Sequence, residues 1–533
     1  MLTRNQIFDA ISTNNQFDLL IIGGGATGSG IALDAISRGY KVLLVEKADF
    51  ASGTSSKSTK LVHGGVRYLE QAVKNLDKGQ FKLVYEALHE RAIFLKLAPH
   101  LSRPLPIFTP LYKFWEKPYY RIGLKLYDWL AGKTNIGKSK AVNNKEALQW
   151  FPTLNSKSLK GGVVYFDGQF DDARMNITML KTAAQHGALL LNYAPLTALI
   201  HEQNKLVGAT IKDSFTDKQY TIRAKGIINA TGPFVDSIRL LDDPNTKPML
   251  TVSSGAHVII KQKICPDDKG FLIPNTEDGR VLFMLPWNNS TLVGTTDQPA
   301  KIEFNPTAST DDINYIVKHL THYFNLNLGP EDILSSWSGL RPLVSNPDSA
   351  TTATISRDHV LLQSSKGLLT ITGGKWTTYR LMAEDTINAA IKTFKLPQAD
   401  CITKQIKLSG ANGYTTDLPE KLTKKFKLDM DIAIHLAKAY GANAWDILQK
   451  NSVAALNRLH PDYPYIEAEV SYAITSEYAQ RASDILCRRT RMAFLNKSAA
   501  QSASKKVIEI MTKELNWDEN RIVWEQAHWA DIF

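Results

Sequence analysis

Residues 17–47 read FDLLIIGGGATGSGIALDAISRGYKVLLVEK. The apolar run Leu19 to Ile22 fits a parallel strand buried on both faces. Gly23-Gly24-Gly25-Ala26-Thr27-Gly28 follows at once, and then Ile31, Ala35 and Ile36 recur at helical spacing before Gly39 supplies a stop. Val42 to Val45 predicts a second buried strand, so the stretch is one βαβ unit. Each glycine of this GxGxxG has a physical reason. Gly23 makes the tight turn, Gly25 lets the backbone approach a pyrophosphate, and Gly28 lets the helix pack on the strand. The helix N-terminus then offers N–H groups and its dipole to phosphate. Glu46 ends the second strand, 23 residues after Gly23, where a carboxylate can bind both ribose hydroxyls. The pattern predicts dinucleotide binding in a doubly wound α/β domain. FAD and NAD share this fingerprint, so the rest of the chain must separate them.

Working outward, 533 residues predict two to four domains. An apolar fraction of 44% and a charged fraction of 22% are those of a globular protein, which excludes collagen-like, disordered and low-complexity classes. Cys265, Cys401 and Cys487 are far apart and form no CxxC. No metal site or disulfide scaffold is expected, and a reducing compartment is the simplest reading. The net charge of +11 favours anionic partners without choosing among them. The N-terminus has no apolar core of a signal peptide, and no apolar run reaches the ~20 residues of a spanning helix. A soluble or peripherally bound protein is expected.

Further elements follow. Helices are expected over about 76–98 and 171–188, with strand and turn at 161–171 and strand pattern from 189 to 230. Short β patterns crowd 250–300. Residues 368–391 read as strand, glycine turn and long helix. Beyond residue 405 the chain reads as helical, with a linker at Pro397 and SGANG, 409–413. Three small-residue segments suit a backbone close to a cofactor: the hydroxyl-rich loop Ser52, Thr54, Ser55 and Ser56; NATGP at 229–233; and ITGGKWTTYR at 371–380. In the last, a helix N-terminus is expected to favour negative charge.

These segments together resemble the FAD-dependent, quinone-linked glycerol-3-phosphate dehydrogenase family. The resemblance rests on GGGATGSGIALDAISRG, TSSKSTKLVHGGVRYLE, ALHERAIFLKLAPHL, DDARMNITML, NATGPFV, VGTTD, SGLRPL, ISRDH and GGKWTTYR, in that order from residue 23 to 380, with RASDILCRRTRMAFLN at 481–496. It implies a Rossmann-like FAD-binding domain, a β-rich substrate domain and a helical C-terminal domain. The expected division is 1–75, 160–240 and 341–400 for FAD; 76–159 and 241–340 for the substrate; and 405–533 for the helices. It implies oxidation of sn-glycerol 3-phosphate to dihydroxyacetone phosphate, by hydride transfer to flavin N5, with electrons passed to membrane quinone.

The implied cofactor set is Gly23, Gly25, Gly28, Glu46, Thr54, Ser55, Ser56, Lys60, His63, Gly64, Ala230, Thr231, Gly232, Gly373, Gly374, Lys375 and Thr377. The resemblance implies a substrate set of Arg67, Arg341, Arg357 and Lys375, the basic positions of the matching motifs, with Tyr68, and arginine forks suit phosphate oxygens. His63, Arg341 and Lys375 form the expected catalytic set. His63 has the right unperturbed pKa for a base, and Lys375 competes as a lysine desolvated beside cations.

Residues 103–133 carry Arg103, Lys113, Lys117, Arg121, Lys125 and Lys133 against Glu116 and Asp128, together with eight aromatics. Cations and interfacial aromatics are what an anionic membrane surface requires. With the resemblance, this predicts a peripheral protein on the cytoplasmic face of the inner membrane, and a homodimer is admitted. The same substrate cations would serve a glycerol-3-phosphate oxidase releasing hydrogen peroxide, and a flavin-binding scaffold or redox sensor is the non-enzymatic rival. No nucleic-acid fold motif accompanies the C-terminal arginines Arg481, Arg488, Arg489 and Arg491, so nucleic acid is not expected and a solvated basic face is.

Overall fold

The computed structural model describes residues 2–344, 359–450 and 453–531, without the side chains of 67, 68, 70–72, 453 and 454. Arg357 and the side chains of Arg67 and Tyr68 therefore lie outside the described residues.

Two sheets organise the chain. The first runs His359–Gln363, Leu368–Gly373, Gln219–Asn229, Gln16–Ile22, Val42–Val45, Leu189–Leu191. Its inner strands pair in parallel, as their continuous apolar runs require. Leu19, Leu20, Ile21, Leu43 and Leu44 are fully buried because helices cover them. Helix Ala26–Ser37 packs between Asp172–Gln185 and Tyr379–Phe394. The hairpin Leu196–Glu202 and Lys205–Lys212 extends this sheet in antiparallel pairing.

The second sheet is mostly antiparallel. Its order is Gln298–Ala300, Leu250–Ile260, Ser290–Gly294, Leu282–Trp287, Gly270–Ile273, Ser102–Pro110, Gly162–Phe170, Leu61–Val62, with Ile333–Val344 on Leu250–Ile260 and Lys140–Val142 on Gly162–Phe170. Two segments expected in the nucleotide domain cross over here. Gly162–Phe170 pairs along its whole length with Ser102–Pro110, and Leu61–Val62 pairs with its far end. The two layers thus exchange strands at the loop that follows the second parallel strand.

The helix expected over 76–98 is Lys78–Leu97, capped by the Asp77 carboxylate, which accepts from the Gly79 and Gln80 N–H groups, and a further helix, Val66–Asn75, precedes it. The expected linker at 409–413 is instead packed. Ser409 N–H donates to Thr182 Oγ1 at 2.9 Å, and Ala442 N–H donates to Gly410 O at 2.9 Å. The residues after 418 are helical, and helices near 485–511 share one apolar core with Tyr127, Trp287 and Trp337 of the second layer.

The C-terminal arginines do not form a solvated face. Arg488 and Arg489 both pair with the buried Asp49, Arg488 also with Asp484, and Arg481 with Glu525. Arg174 pairs with Glu477 at 2.7 Å. Buried guanidiniums require such partners, and carboxylates distant in sequence supply them. Cys265 and Cys487 are buried free thiols and Cys401 is a half-buried one.

Candidate active site

A cavity of about 480 Å³ opens at the carboxyl ends of the parallel strands. That is where a doubly wound sheet binds ligands, because helix N-termini and strand-end turns converge there. Its wall joins segments far apart in sequence, among them Gly23, Gly25, Glu46, Thr54, Ser55, Ala230, Thr231, Gly232, Gly373, Gly374 and Lys375.

The glycine turn behaves as its spacing requires. Gly23 has φ 108°, and a side-chain carbon there would lie 2.7 Å from Ala230 O. A carbon on Gly25 would lie 2.9 Å from Ser55 Oγ, inside the cavity wall. Gly28 does not line the cavity, since it faces Gly23 O and lets helix and strand close on each other. Ala26 N–H donates to Ser55 Oγ at 2.9 Å, which ties the helix start to the hydroxyl loop.

Glu46 lines the cavity but is engaged by the turn itself. Its Oε2 accepts from Gly24 N–H at 2.8 Å and its Oε1 from Ala48 N–H at 3.1 Å. Burial pushes its pKa up despite those two bonds. A carboxylate has about four acceptor positions, so two remain for the expected ribose hydroxyls.

On the opposite wall, Gly373 and Gly374 both have positive φ, 81° and 70°, which turns the chain out of its strand. Lys375 follows, and the helix Tyr379–Phe394 begins only after the short turn Trp376–Thr378. Thr54 Oγ1 donates to Leu340 O at 2.6 Å, and Trp376 Nε1 donates to Ser55 O at 3.1 Å.

Other expected cofactor residues stand behind this wall. Ser56 is buried, and its carbonyl is an acceptor. Lys60 is fully buried, 2.7 Å from Asp172 Oδ2, and lies over Trp287 and Trp337. Thr377 Oγ1 accepts from His63 N–H at 3.1 Å. Gly64 N–H donates to Tyr127 OH at 2.9 Å, and Tyr127 OH in turn donates to Asp167, which pairs with Arg91.

Arg341 sits one residue from Pro342, a cavity-lining residue. Its guanidinium is held from three sides: Nη1 donates to Asp297 Oδ1 at 3.0 Å, and Nη2 to Thr295 Oγ1 at 2.9 Å and Thr296 O at 3.0 Å. The side chain retains 29% exposure, so it is anchored without being sealed.

His257 was not expected. It is buried on Leu250–Ile260, stacked on Trp337 with ring centroids 5.5 Å apart, with Nε2 3.0 Å from Thr59 Oγ1. Burial, then Lys60 and Arg341, holds its pKa well below the usual histidine value, so the ring is neutral. The available signal was a lone histidine in the apolar run AHVII, since a polar ring there must find a partner.

Residues 18–380 match the family described as FAD dependent oxidoreductase, and residues 401–522 the C-terminal domain of alpha-glycerophosphate oxidase. The chain is 47% identical to the mitochondrial glycerol-3-phosphate dehydrogenase of Rattus norvegicus, covering 96% of this chain and 72% of that protein. It is 44% identical to the probable mitochondrial glycerol-3-phosphate dehydrogenase of Caenorhabditis elegans, over 98% and 74%. Among solved structures, the glycerol-3-phosphate dehydrogenase of Bacillus halodurans complexed with FAD superposes with a TM-score of 0.80 at 32% identity, covering 99% of this chain and 96% of that one. The L-alpha-glycerophosphate oxidase of Mycoplasma pneumoniae, at 16% identity and TM-score 0.55 over 72% and 96%, shares the fold. The cavity, with glycines where side chains would fill it, fits FAD as cofactor.

Proposed function

The chain belongs to the family of FAD-dependent glycerol-3-phosphate dehydrogenases, and on that premise we propose that it oxidises sn-glycerol 3-phosphate to dihydroxyacetone phosphate and passes the electrons to membrane quinone. The observation that carries the reading is the anchored, part-exposed Arg341 beside the cavity formed by the two glycine turns. FAD, when bound, supplies the two-electron acceptor.

The protein's own residues have three tasks. Gly23, Gly25, the N-terminus of helix Ala26–Ser37 and Glu46 hold the dinucleotide. Arg341 meets the substrate phosphate with a fork pre-set by Asp297, Thr295 and Thr296, so little rotamer freedom is lost on binding. Arg67, Tyr68 and Arg357 complete the proposed phosphate set, and His63 and Lys375 stand as alternative acceptors of the hydroxyl proton. An imidazole or an amine at either position would meet the need for a base.

The quinone reading draws support from helix Glu116–Ala131 and the turn before it. The expected stretch 103–133 divides: Phe108 is buried in a strand and Tyr127 in the core, whereas Phe114, Trp115, Ile122 and Trp129 are 79%, 62%, 73% and 72% exposed. Lys113, Lys117, Arg121 and Lys125 are exposed among them. Leu124, Tyr127 and Leu130 pack inward, so this helix docks on the protein by one face and presents apolar and basic groups on the other. A helix of that kind lies in a membrane interface. Among the described residues no helix is long and apolar enough to cross a membrane.

A second reading, transfer to oxygen, is favoured by the match of residues 401–522 to an oxidase domain. The test is an assay of the purified protein with glycerol 3-phosphate and a soluble quinone analogue in air. The proposal expects dihydroxyacetone phosphate formed one-for-one with reduced quinone. Peroxide formed one-for-one with product, with no quinone reduced, would establish the oxidase.

A further inference from the structure

The loop 54–60 touches every part of the site. Ser55 Oγ holds the start of the glycine-turn helix, Thr54 Oγ1 reaches the strand of Arg341 through Leu340 O, and Thr59 Oγ1 meets His257. What holds the loop in turn is a buried charge cluster that the chemistry above does not use. Asp172, at the start of helix Asp172–Gln185, accepts three bonds from the loop on one oxygen: Ser58 N–H at 2.9 Å, Ser58 Oγ at 2.7 Å and Lys60 Nζ at 2.7 Å. Its other oxygen accepts from Arg491 Nη2 at 3.2 Å.

Arg491 comes from the C-terminal helical region, 435 residues beyond Ser56, yet its Nη2 also donates to Ser56 O at 2.7 Å. Its Nη1 donates to Cys487 O at 2.9 Å, and its backbone is left-handed, φ 67°. The guanidinium is 1% exposed. Lys60 Nζ donates to the same Ser56 carbonyl at 3.1 Å. One carboxylate and one carbonyl are thus clamped by two cations, one from the loop and one from the C-terminal region.

We propose that Arg491 is a positioning residue: acting through Asp172 and Ser56, it fixes the loop 54–60 against the cofactor cavity, so that FAD retention and turnover depend on the docked C-terminal helices. The fork does this because it is planar and spans two acceptors at once, which an ammonium on a flexible stem does not reproduce. Burial makes the clamp stiff, since Asp172 and Ser56 are shielded from bulk solvent. Burial alone would raise the Asp172 pKa, but Lys60 and Arg491 outweigh it and keep the carboxylate charged. The inference rests on the cavity as the FAD seat, and on the substrate reading only for turnover.

The experiment compares two charge-conserving variants of the full holoenzyme, R491K and R174K. Arg174 pairs with Glu477 across the same inter-region boundary and, among the described residues, makes no hydrogen bond to the loop. FAD release is followed by the rise of free-flavin fluorescence after dilution, with thermal unfolding in parallel. R491K is expected to release FAD at least about tenfold faster than R174K at matched unfolding midpoint, and to lower kcat with KM for glycerol 3-phosphate little changed. Equal release rates in the two variants would overturn the proposal and leave Arg491 as an ordinary inter-region contact. Should R491K not fold, S58A removes one loop donor from Asp172 while keeping the arginine, and it is expected to release FAD about threefold faster. An unchanged rate in S58A would overturn the proposal equally. The release assay needs no substrate, so failure of the glycerol 3-phosphate reading would leave this result standing.

Discussion

Two stretches of this chain, each carrying four basic residues, have opposite fates. Residues 481–491 carry Arg481, Arg488, Arg489 and Arg491, and residues 113–129 carry Lys113, Lys117, Arg121 and Lys125. The first stretch is buried, with each guanidinium paired to a carboxylate from a distant part of the chain. The second faces outward with exposed Trp115, Ile122 and Trp129 between its charges. The difference lies in partners, not in charge. Arg489 finds Asp49, 440 residues away, whereas Lys113, Lys117, Arg121 and Lys125 have no carboxylate ion pair among the described residues. Arginine suits the first role because its fork pairs two acceptors after desolvation, and lysine suits the second because its ammonium stays hydrated. Arg341 falls between, part-exposed and paired to Asp297.

The comparison breaks most sharply at Arg489. R489A strands part of the charge of Asp49, so a stability loss of about 3–5 kcal/mol is expected from urea unfolding. A loss below about 1 kcal/mol would show that the cluster is no more than a surface pair in effect. R341A is expected to leave the unfolding midpoint nearly unchanged while kcat/KM for glycerol 3-phosphate falls by about 2–5 kcal/mol in transition-state terms. Unaltered kinetics would remove Arg341 from the site.

A smaller effect probes burial without pairing. His100 is buried, with no hydrogen-bond partner for either ring nitrogen among the described residues, and burial, then Arg174, lowers its pKa to about 3. Since the unfolded chain takes up this proton near pH 6.5 and the folded one does not, folding stability falls as pH drops from about 6.5 towards 3, by up to about 1.4 kcal/mol per pH unit. H100Q is expected to flatten that slope in acid titrations of the unfolding midpoint, and an identical slope would assign the proton elsewhere. Last, exchanging Lys113, Lys117, Arg121 and Lys125 for glutamine should weaken binding to anionic vesicles by about 1 kcal/mol per charge. Sedimentation with vesicles at wild-type level would place the anchor on another surface.

Much of the nucleotide half was legible in residues. The glycine spacing, the apolar runs and Glu46 are local features, and a βαβ unit is a local structure. The glycine pair Gly373 and Gly374 was legible for the same reason. The rest depended on pairings across hundreds of residues. Nothing near Arg488 or Arg489 names Asp49, so the run read as a solvated face. The resemblance implied Lys60 as a cofactor residue, and nothing local in the sequence pointed to the buried Asp172 that its side chain meets. Gly162–Phe170 was assigned to the nucleotide domain by the expected division, and only hydrogen bonding to Ser102–Pro110 reveals its sheet.

Arg341 is proposed to present a phosphorylated secondary alcohol to a bound FAD. Anaerobic addition of sn-glycerol 3-phosphate to the FAD-loaded protein tests it most directly. The visible flavin band is expected to bleach, with one dihydroxyacetone phosphate formed per flavin. A band that persists through long incubation, in a protein that has taken up FAD, would contradict it and favour a flavin-binding scaffold.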